Sequence, residues 1–83
     1  MSYIVYILYS NSADKYYVGS CSDIANRLHQ HNTGKNLSTK YGIPWQIKKT
    51  ENYQSHEEAR KREAFIKRMK SRKFIEQVIA NER

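Results

Sequence analysis

The run Tyr3-Ile4-Val5-Tyr6-Ile7-Leu8-Tyr9 constrains this chain most. It is built of β-branched, aromatic and aliphatic residues with no polar interruption. Such a run reads as a strand buried on both faces, which requires a sheet covered on both sides. Asn11 to Lys15 is a polar turn, and Tyr16 to Gly19 is a second short strand. The two strands make a β-hairpin. If its centre lies near Asn11-Ser12, Tyr6 and Tyr17 stand opposite each other on one face.

Beyond the hairpin the period changes from strand to helix. Ser20 and Ser22 are N-cap candidates for a helix from about Asp23 to Asn32, with Gly34 as its stop. Ile24, Leu28 and His31 fall at i, i+4 and i+7, with Arg27 on the same side. Thr33 to Pro44 is a polar connection carrying Lys35 and Lys40. Gln46 to Thr50 reads as a third strand. Ser55 and Glu58 form a capping box that opens a helix to about Lys70. Ser71 starts a last helix, with Phe74, Ile75, Val78 and Ile79 facing inward. The expected fold is therefore α+β: a three-stranded antiparallel sheet flanked by helices, in the order ββαβαα. At 83 residues it forms a single domain over positions 1–83.

The formal net charge is +7, an excess that favours a polyanionic partner, because neutralising phosphates releases counterions. The plainer alternative is a basic protein with no specific partner. Cys21 is the only cysteine, which excludes an intramolecular disulfide and a cysteine-built zinc cage. The longest apolar run is too short to span a membrane, and no stretch has the layout of a secretory signal. The expectation is a cytoplasmic protein with no membrane partner.

Between Arg60 and Lys73 stand eight basic residues and a single acid, Glu63. Its helical neighbours Ala59 and Ile66 place it on or beside the core-facing stripe. A carboxylate there needs a partner. One reading is an ion pair with Arg60, Arg62 or Lys67. The other is a Mg²⁺ ligand, because magnesium is often held by one or two carboxylates, with water and phosphate oxygens completing the shell. Tyr6 and Tyr17 are ordinary strand formers, but paired phenols can also position or deprotonate a water. A phenol has a reference pKa of about 10, so a base role needs a lowering influence. Arg27 is either a solvated helix residue or a bidentate phosphate ligand. His31 is either a helix C-terminal cation or a proton-transfer group. Gly19 is either a turn glycine or a point where the backbone must approach substrate. His29 and His56 read as surface residues. His29, His31 and Cys21 do not make a zinc ligand set.

Taken together, Ile4-Val5-Tyr6, Tyr17-Val18-Gly19, the segment Asp23 to Gly34 and the run Glu58 to Glu63 resemble the GIY-YIG nuclease superfamily, in particular its small single-domain members. The resemblance covers nearly the whole chain and implies a metal-dependent endonuclease. It implies Tyr6 as general base or water-positioning phenol, with Tyr17 assisting it or contacting the phosphate. It implies Arg27 as the transition-state cation, His31 as a proton-transfer or phosphate-binding residue, and Glu63 as the ligand of Mg²⁺ or Mn²⁺. Gly19 is the expected close-approach point beside the active centre. There are two departures. Ile4 stands where the first signature has glycine, and no counterpart is identified for the asparagine many members carry near the end of the domain; Asn81 is too close to the terminus.

The leading expectation is an endonuclease that nicks DNA with low sequence specificity, in repair or recombination. The nucleic acid, DNA or RNA, is expected to lie along Lys35, Lys40, Arg60, Lys67, Lys70, Arg72 and Lys73. A second reading keeps the fold and the nucleic-acid binding without catalysis. A third docks the basic face on an acidic protein.

Overall fold

A computed structural model describes residues 2–81. Strands β1 (Tyr3–Ser10), β2 (Lys15–Cys21) and β3 (Trp45–Tyr53) form one antiparallel sheet in the order β2-β1-β3. The most apolar strand is thus the central one. Helix α1 (Ile24–Asn32) follows β2, and α2 (His56–Met69) and α3 (Arg72–Ala80) follow β3. The connection before β3 contains a 3₁₀ turn, Leu37–Gly42. No helix among the described residues is long and apolar enough to cross a membrane.

Alternation along β1 divides the core in two. Val5 and Ile7 join Val18, Ala59, Ile66 and Val78 on the side covered by α2 and α3. Tyr6 and Leu8 join Cys21 and Trp45 on the opposite side, with Ile24 and Leu28 of α1 packed against them. Fully burying one Val, Leu or Ile contributes about 1.5–3 kcal/mol, so β1 anchors both halves. Of the expected inward residues of α3, Val78 is buried and Phe74, Ile75 and Ile79 pack part-buried on the same cluster.

The hairpin register differs from the expected one. Tyr6 pairs with Gly19, and Tyr17 pairs with Leu8. The strands close at Ser10 and Lys15 around a four-residue turn, Asn11 to Asp14, with Asp14 at φ 53° and the Ala13 amide donating to Ser10 Oγ at 3.1 Å. The turn is therefore centred one residue later than expected, which moves every cross-strand partner by two. A shift of two preserves the face, so Tyr6 and Tyr17 remain neighbours on the α1 side, now diagonally.

The start of α1 also differs. Asp23, not Ser20 or Ser22, is the N-cap, its carboxylate accepting from the Asn26 amide at 3.1 Å. Ser20 lies in β2, which runs two residues beyond the expected Gly19. At the other end, Gly34 takes φ +79° and the Lys35 amide returns to the Gln30 carbonyl at 3.1 Å, the glycine-stopped ending expected there. Ser55 caps α2 through the Glu58 amide, and its hydroxyl donates to the Glu58 carboxylate. Lys70, at φ 48°, ends α2, and Ser71 caps α3 through the Phe74 amide.

Candidate active site

Tyr6 sits at the middle of the central strand and is 1% exposed. Its ring lies directly across Gly19. A Cβ at position 19 would stand 2.5 Å from Tyr6 Oη and 2.6 Å from Cζ. The absent side chain at Gly19 thus makes room for the Tyr6 phenol, where the sequence suggested room for substrate.

The Tyr6 hydroxyl meets His31 Nε2 at 3.1 Å, and His31 Nδ1 meets Thr39 Oγ1 at 2.7 Å. Thr39 has one hydroxyl proton, and it donates that proton to the Asn36 carbonyl at 3.3 Å. His31 Nδ1 must then carry its own hydrogen and donate it to Thr39. This leaves Nε2 as an acceptor, and the Tyr6 hydroxyl donates to it. The chain of donors runs Tyr6 → His31 → Thr39 → Asn36. Its donor–acceptor order assigns the imidazole tautomer.

His31 is fully buried. Burial and the nearby Arg27 charge both push its pKa below the ordinary value. A neutral imidazole gains nothing from the helix dipole, so the helix-cation reading does not describe it. Burial, and then the neighbouring Tyr17, raise the Tyr6 phenol to about 12, against the opposing pull of Arg27. Tyr6 is therefore a phenol at neutral pH, not a phenolate. The expected lowering influence is present in Arg27 but is outweighed. Tyr17 completes the cluster, its ring 5.0 Å from His31 and 6.3 Å from Tyr6 between centroids. Arg27 is half-buried, and among the described residues it has no carboxylate partner. A guanidinium held this way is available to an external anion.

Glu63 stands on the other side of β2. Its Oε1 accepts from Ser20 Oγ at 2.6 Å, and its Oε2 pairs with Lys67 Nζ at 2.6 Å. Partial burial would raise this carboxyl, but the bonds from Lys67 and Ser20 prevail and hold it below the ordinary glutamate value. Of the three ion-pair partners expected for Glu63, Lys67 is the one it has. Arg62 instead makes a two-pronged contact with Glu51, at 2.9 and 3.2 Å. Lys67 Nζ also lies 5.8 Å from the centre of the Tyr17 ring. In the edge strand β2, Ser20, which bonds Glu63, directly follows Gly19, which packs on the Tyr6 phenol. Lys67 reaches around that edge.

The expected polyanion-binding cations are all exposed, in three sets. Lys67, Lys70 and Arg72 line a groove of about 460 Å³ with Lys15, Tyr16 and Tyr17. Lys35 and Lys40 are exposed beside the 3₁₀ turn. Arg60 and Lys73 are exposed on α2 and α3. Like Lys67, which is paired with Glu63, Arg72 is already engaged. It bridges to Asp14 at 2.6 Å and Glu76 at 3.3 Å and lies over the Tyr16 ring. It ties α3 to the hairpin turn. His29 and His56 are on the surface, as expected.

The residues toward a metal are few. No group of three or more His, Cys, Asp or Glu side chains converges among the described residues. The donors near Glu63 are oxygens: one ionised carboxylate and the Ser20 hydroxyl. That set suits a hard, largely hydrated cation such as Mg²⁺ or Mn²⁺, once Lys67 swings aside, and does not suit zinc.

Two residues of the site escaped sequence reasoning. Thr39 lies in an aperiodic loop with no distinguishing signal. Ser20 looked like a helix cap, although its place just after Tyr17-Val18-Gly19 offered a hint that the strand continues.

The chain was compared with known proteins. No curated protein matches its sequence. Among solved structures it is similar to the solution NMR structure of a UPF0213 protein from Bacillus halodurans, at 31% identity and a TM-score of 0.61. That match covers 96% of this chain and 84% of the other. The family model of the GIY-YIG catalytic domain matches residues 2–75, a span that includes Tyr6, Tyr17, Gly19, Arg27, His31 and Glu63, and the chain belongs to the GIY-YIG family.

Proposed function

We propose that this domain is a divalent-metal-dependent endonuclease that hydrolyses DNA phosphodiester bonds with low sequence specificity, in the cytoplasm, in repair or recombination. The observation that carries the reading is the Tyr6–His31–Thr39 chain set beside the unpaired Arg27, with Glu63 one strand away. In this reading the Tyr6 hydroxyl donates to His31, and its oxygen accepts a hydrogen bond from the attacking water. His31, held in one tautomer by Thr39, takes up the proton passed through Tyr6. The high phenol pKa suits a relay and disfavours a standing phenolate. Arg27 binds the phosphoryl oxygens as negative charge builds on them. Tyr17 orients the phosphate from the strand edge. Glu63, with Ser20, would hold Mg²⁺ or Mn²⁺, which would supply Lewis-acid polarisation of the phosphate and of the leaving oxygen. The exposed basic residues hold the backbone of DNA or RNA.

Nicking of supercoiled plasmid with Mg²⁺ or Mn²⁺ tests this. Arg27→Ala and Glu63→Ala are expected to lose nicking by about 10²-fold or more. Equal nicking in both variants and wild type would sink the site assignment.

One observation favours a second reading, a nucleic-acid-binding module without catalysis. Both Glu63 oxygens are engaged, by Ser20 and Lys67. Binding with a normal salt slope and no cleavage under any divalent metal would select it.

A further inference from the structure

The 3₁₀ turn Leu37–Gly42 carries the two most exposed large apolar side chains among the described residues. Leu37 is 80% exposed and Tyr41 58%. A single exposed leucine is ordinary. This pair differs in its surroundings. From Ile24 to Thr50 the sequence contains no Asp or Glu, while Arg27, Lys35, Lys40, Lys48 and Lys49 fall in that span. These two apolar side chains therefore stand in a stretch whose only charges are positive, which suits a polyanion with apolar faces behind its phosphates.

The turn is also rigidly seated. Asn36 Oδ1 accepts from the Ser38 amide at 3.2 Å and the Ser38 hydroxyl at 2.7 Å. Thr39 is fully buried, and its carbonyl accepts from Trp45 Nε1 at 2.8 Å. Tyr41 stands edge-on to Trp45 at 5.9 Å. A rigid mount spares the entropy a loose loop would lose on binding. Thr39 is the residue that bonds His31, so the turn is tied directly to the imidazole. An open hollow of about 580 Å³ lined by Gln30, Lys35, Asn36 and Ser38 lies beside Leu37.

We infer that Leu37 and Tyr41 form a wedge that inserts between bases of the nucleic acid held at the Tyr6–His31 site. Lys35 and Lys40 grip the flanking phosphates, and a displaced base is received in the hollow beside Leu37. Apolar side chains that part a base step work in this way, and a step already weakened by a fork, gap or mismatch costs least to open. The wedge makes the enzyme selective for DNA structure where it lacks the means to select sequence. The inference rests on the nucleic-acid reading of the preceding subsection.

The test uses the whole domain with forked and fully paired oligonucleotides carrying 2-aminopurine at the junction, in Ca²⁺ to prevent cleavage. Wild type is expected to raise the fluorescence on binding. Leu37→Ser/Tyr41→Ser is expected to abolish the rise and weaken fork binding by about 5- to 50-fold, the scale of losing one or two stacked bases. The salt slope should be unchanged, since Lys35 and Lys40 remain. Lys35→Ala/Lys40→Ala should reduce that slope by about 2 and keep the rise at saturation. Equal fluorescence and equal fork preference in the Leu37/Tyr41 variant would overturn the wedge while leaving the nuclease reading intact. Wild type that binds no DNA at low salt overturns both. Self-association lost in the variant by sedimentation would assign the tip to a second copy of the chain and overturn the wedge.

Discussion

Replacing Gly19 by alanine puts one methyl group into the tightest place in the candidate site. The new Cβ would start 2.5 Å from Tyr6 Oη, 2.6 Å from Tyr6 Cζ and 3.2 Å from Tyr17 Cε2. Carbon contacts settle at about 3.5–4.0 Å, so the phenol must retreat by about 1 Å. It has little room to do so, being 1% exposed and packed among Leu8, Cys21 and Trp45. Overpacking of this kind costs about 1–3 kcal/mol. Alanine recovers about 0.5–1 kcal/mol over glycine inside a strand. The net loss is about 1–2 kcal/mol, and each kcal/mol lowers the Tm of a domain this size by about 4–8 °C. Displacing the phenol also breaks its 3.1 Å contact with His31. Misplacing a reacting group by about 1 Å costs about 10²-fold in rate, so nicking should fall further than stability alone explains. Circular-dichroism melts and single-turnover nicking at 20 °C below the lower Tm measure the two effects separately. A companion cycle with Tyr6→Leu should show that most of the Gly19→Ala cost disappears when the ring is gone, a coupling of at least about 0.5 kcal/mol. An unchanged Tm together with unchanged nicking would refute the claim that Gly19 exists to seat Tyr6.

Other outcomes follow from the same geometry. Thr39→Val leaves the buried His31 Nδ1–H without an acceptor and should cost about 1–3 kcal/mol in denaturant melts, with a larger loss of nicking than Thr39→Ser. His31 has a folded pKa below its unfolded one, so the unfolded chain binds the extra proton first: stability is full above about pH 6.5 and is lost as pH falls from there toward the folded value. His31→Asn should flatten that part of the stability–pH curve, and an unchanged slope would show that another group is responsible. Lys67→Met removes the cation paired with Glu63 and should tighten Mn²⁺ binding, read by electron paramagnetic resonance, because the metal no longer competes with an ammonium 2.6 Å from the carboxylate.

The fold was legible where side chains alternate. The uninterrupted run from Tyr3 to Tyr9 announced a strand covered on both faces, and the two clusters that share β1 are its consequence. The element order, the inward residues of α3 and the glycine stop at Gly34 were legible for the same reason: each is set by neighbours a few residues away. The hairpin register was not, because it depends on the conformation of one turn residue, Asp14, whose left-handed backbone nothing in the sequence required. The beginning of α1 was misplaced because three residues near it, Ser20, Ser22 and Asp23, are all chemically able to cap. Which one does so depends on how far β2 continues along β1.

The candidate site shows the same division at a longer range. Tyr6, Tyr17, Arg27, His31 and Glu63 could be nominated from residue type and motif, but their electrical states could not. Whether His31 is a cation or a neutral acceptor is decided by its burial and by the Arg27 charge, and the partner of its Nδ1 is Thr39, eight residues away in a loop with no periodicity. Whether Tyr6 is acidic enough to lose its proton is decided by the balance between burial and Arg27, and burial wins. The consequence is chemical. With Tyr6 held protonated and its hydrogen directed at a neutral imidazole, a base role would draw on the phenol and His31 together. If the pair is the working unit, Tyr6→Phe and His31→Ala should each remove the same step, and the double variant should nick no more slowly than the worse single one. Multiplicative losses in single-turnover rates would show two independent roles instead.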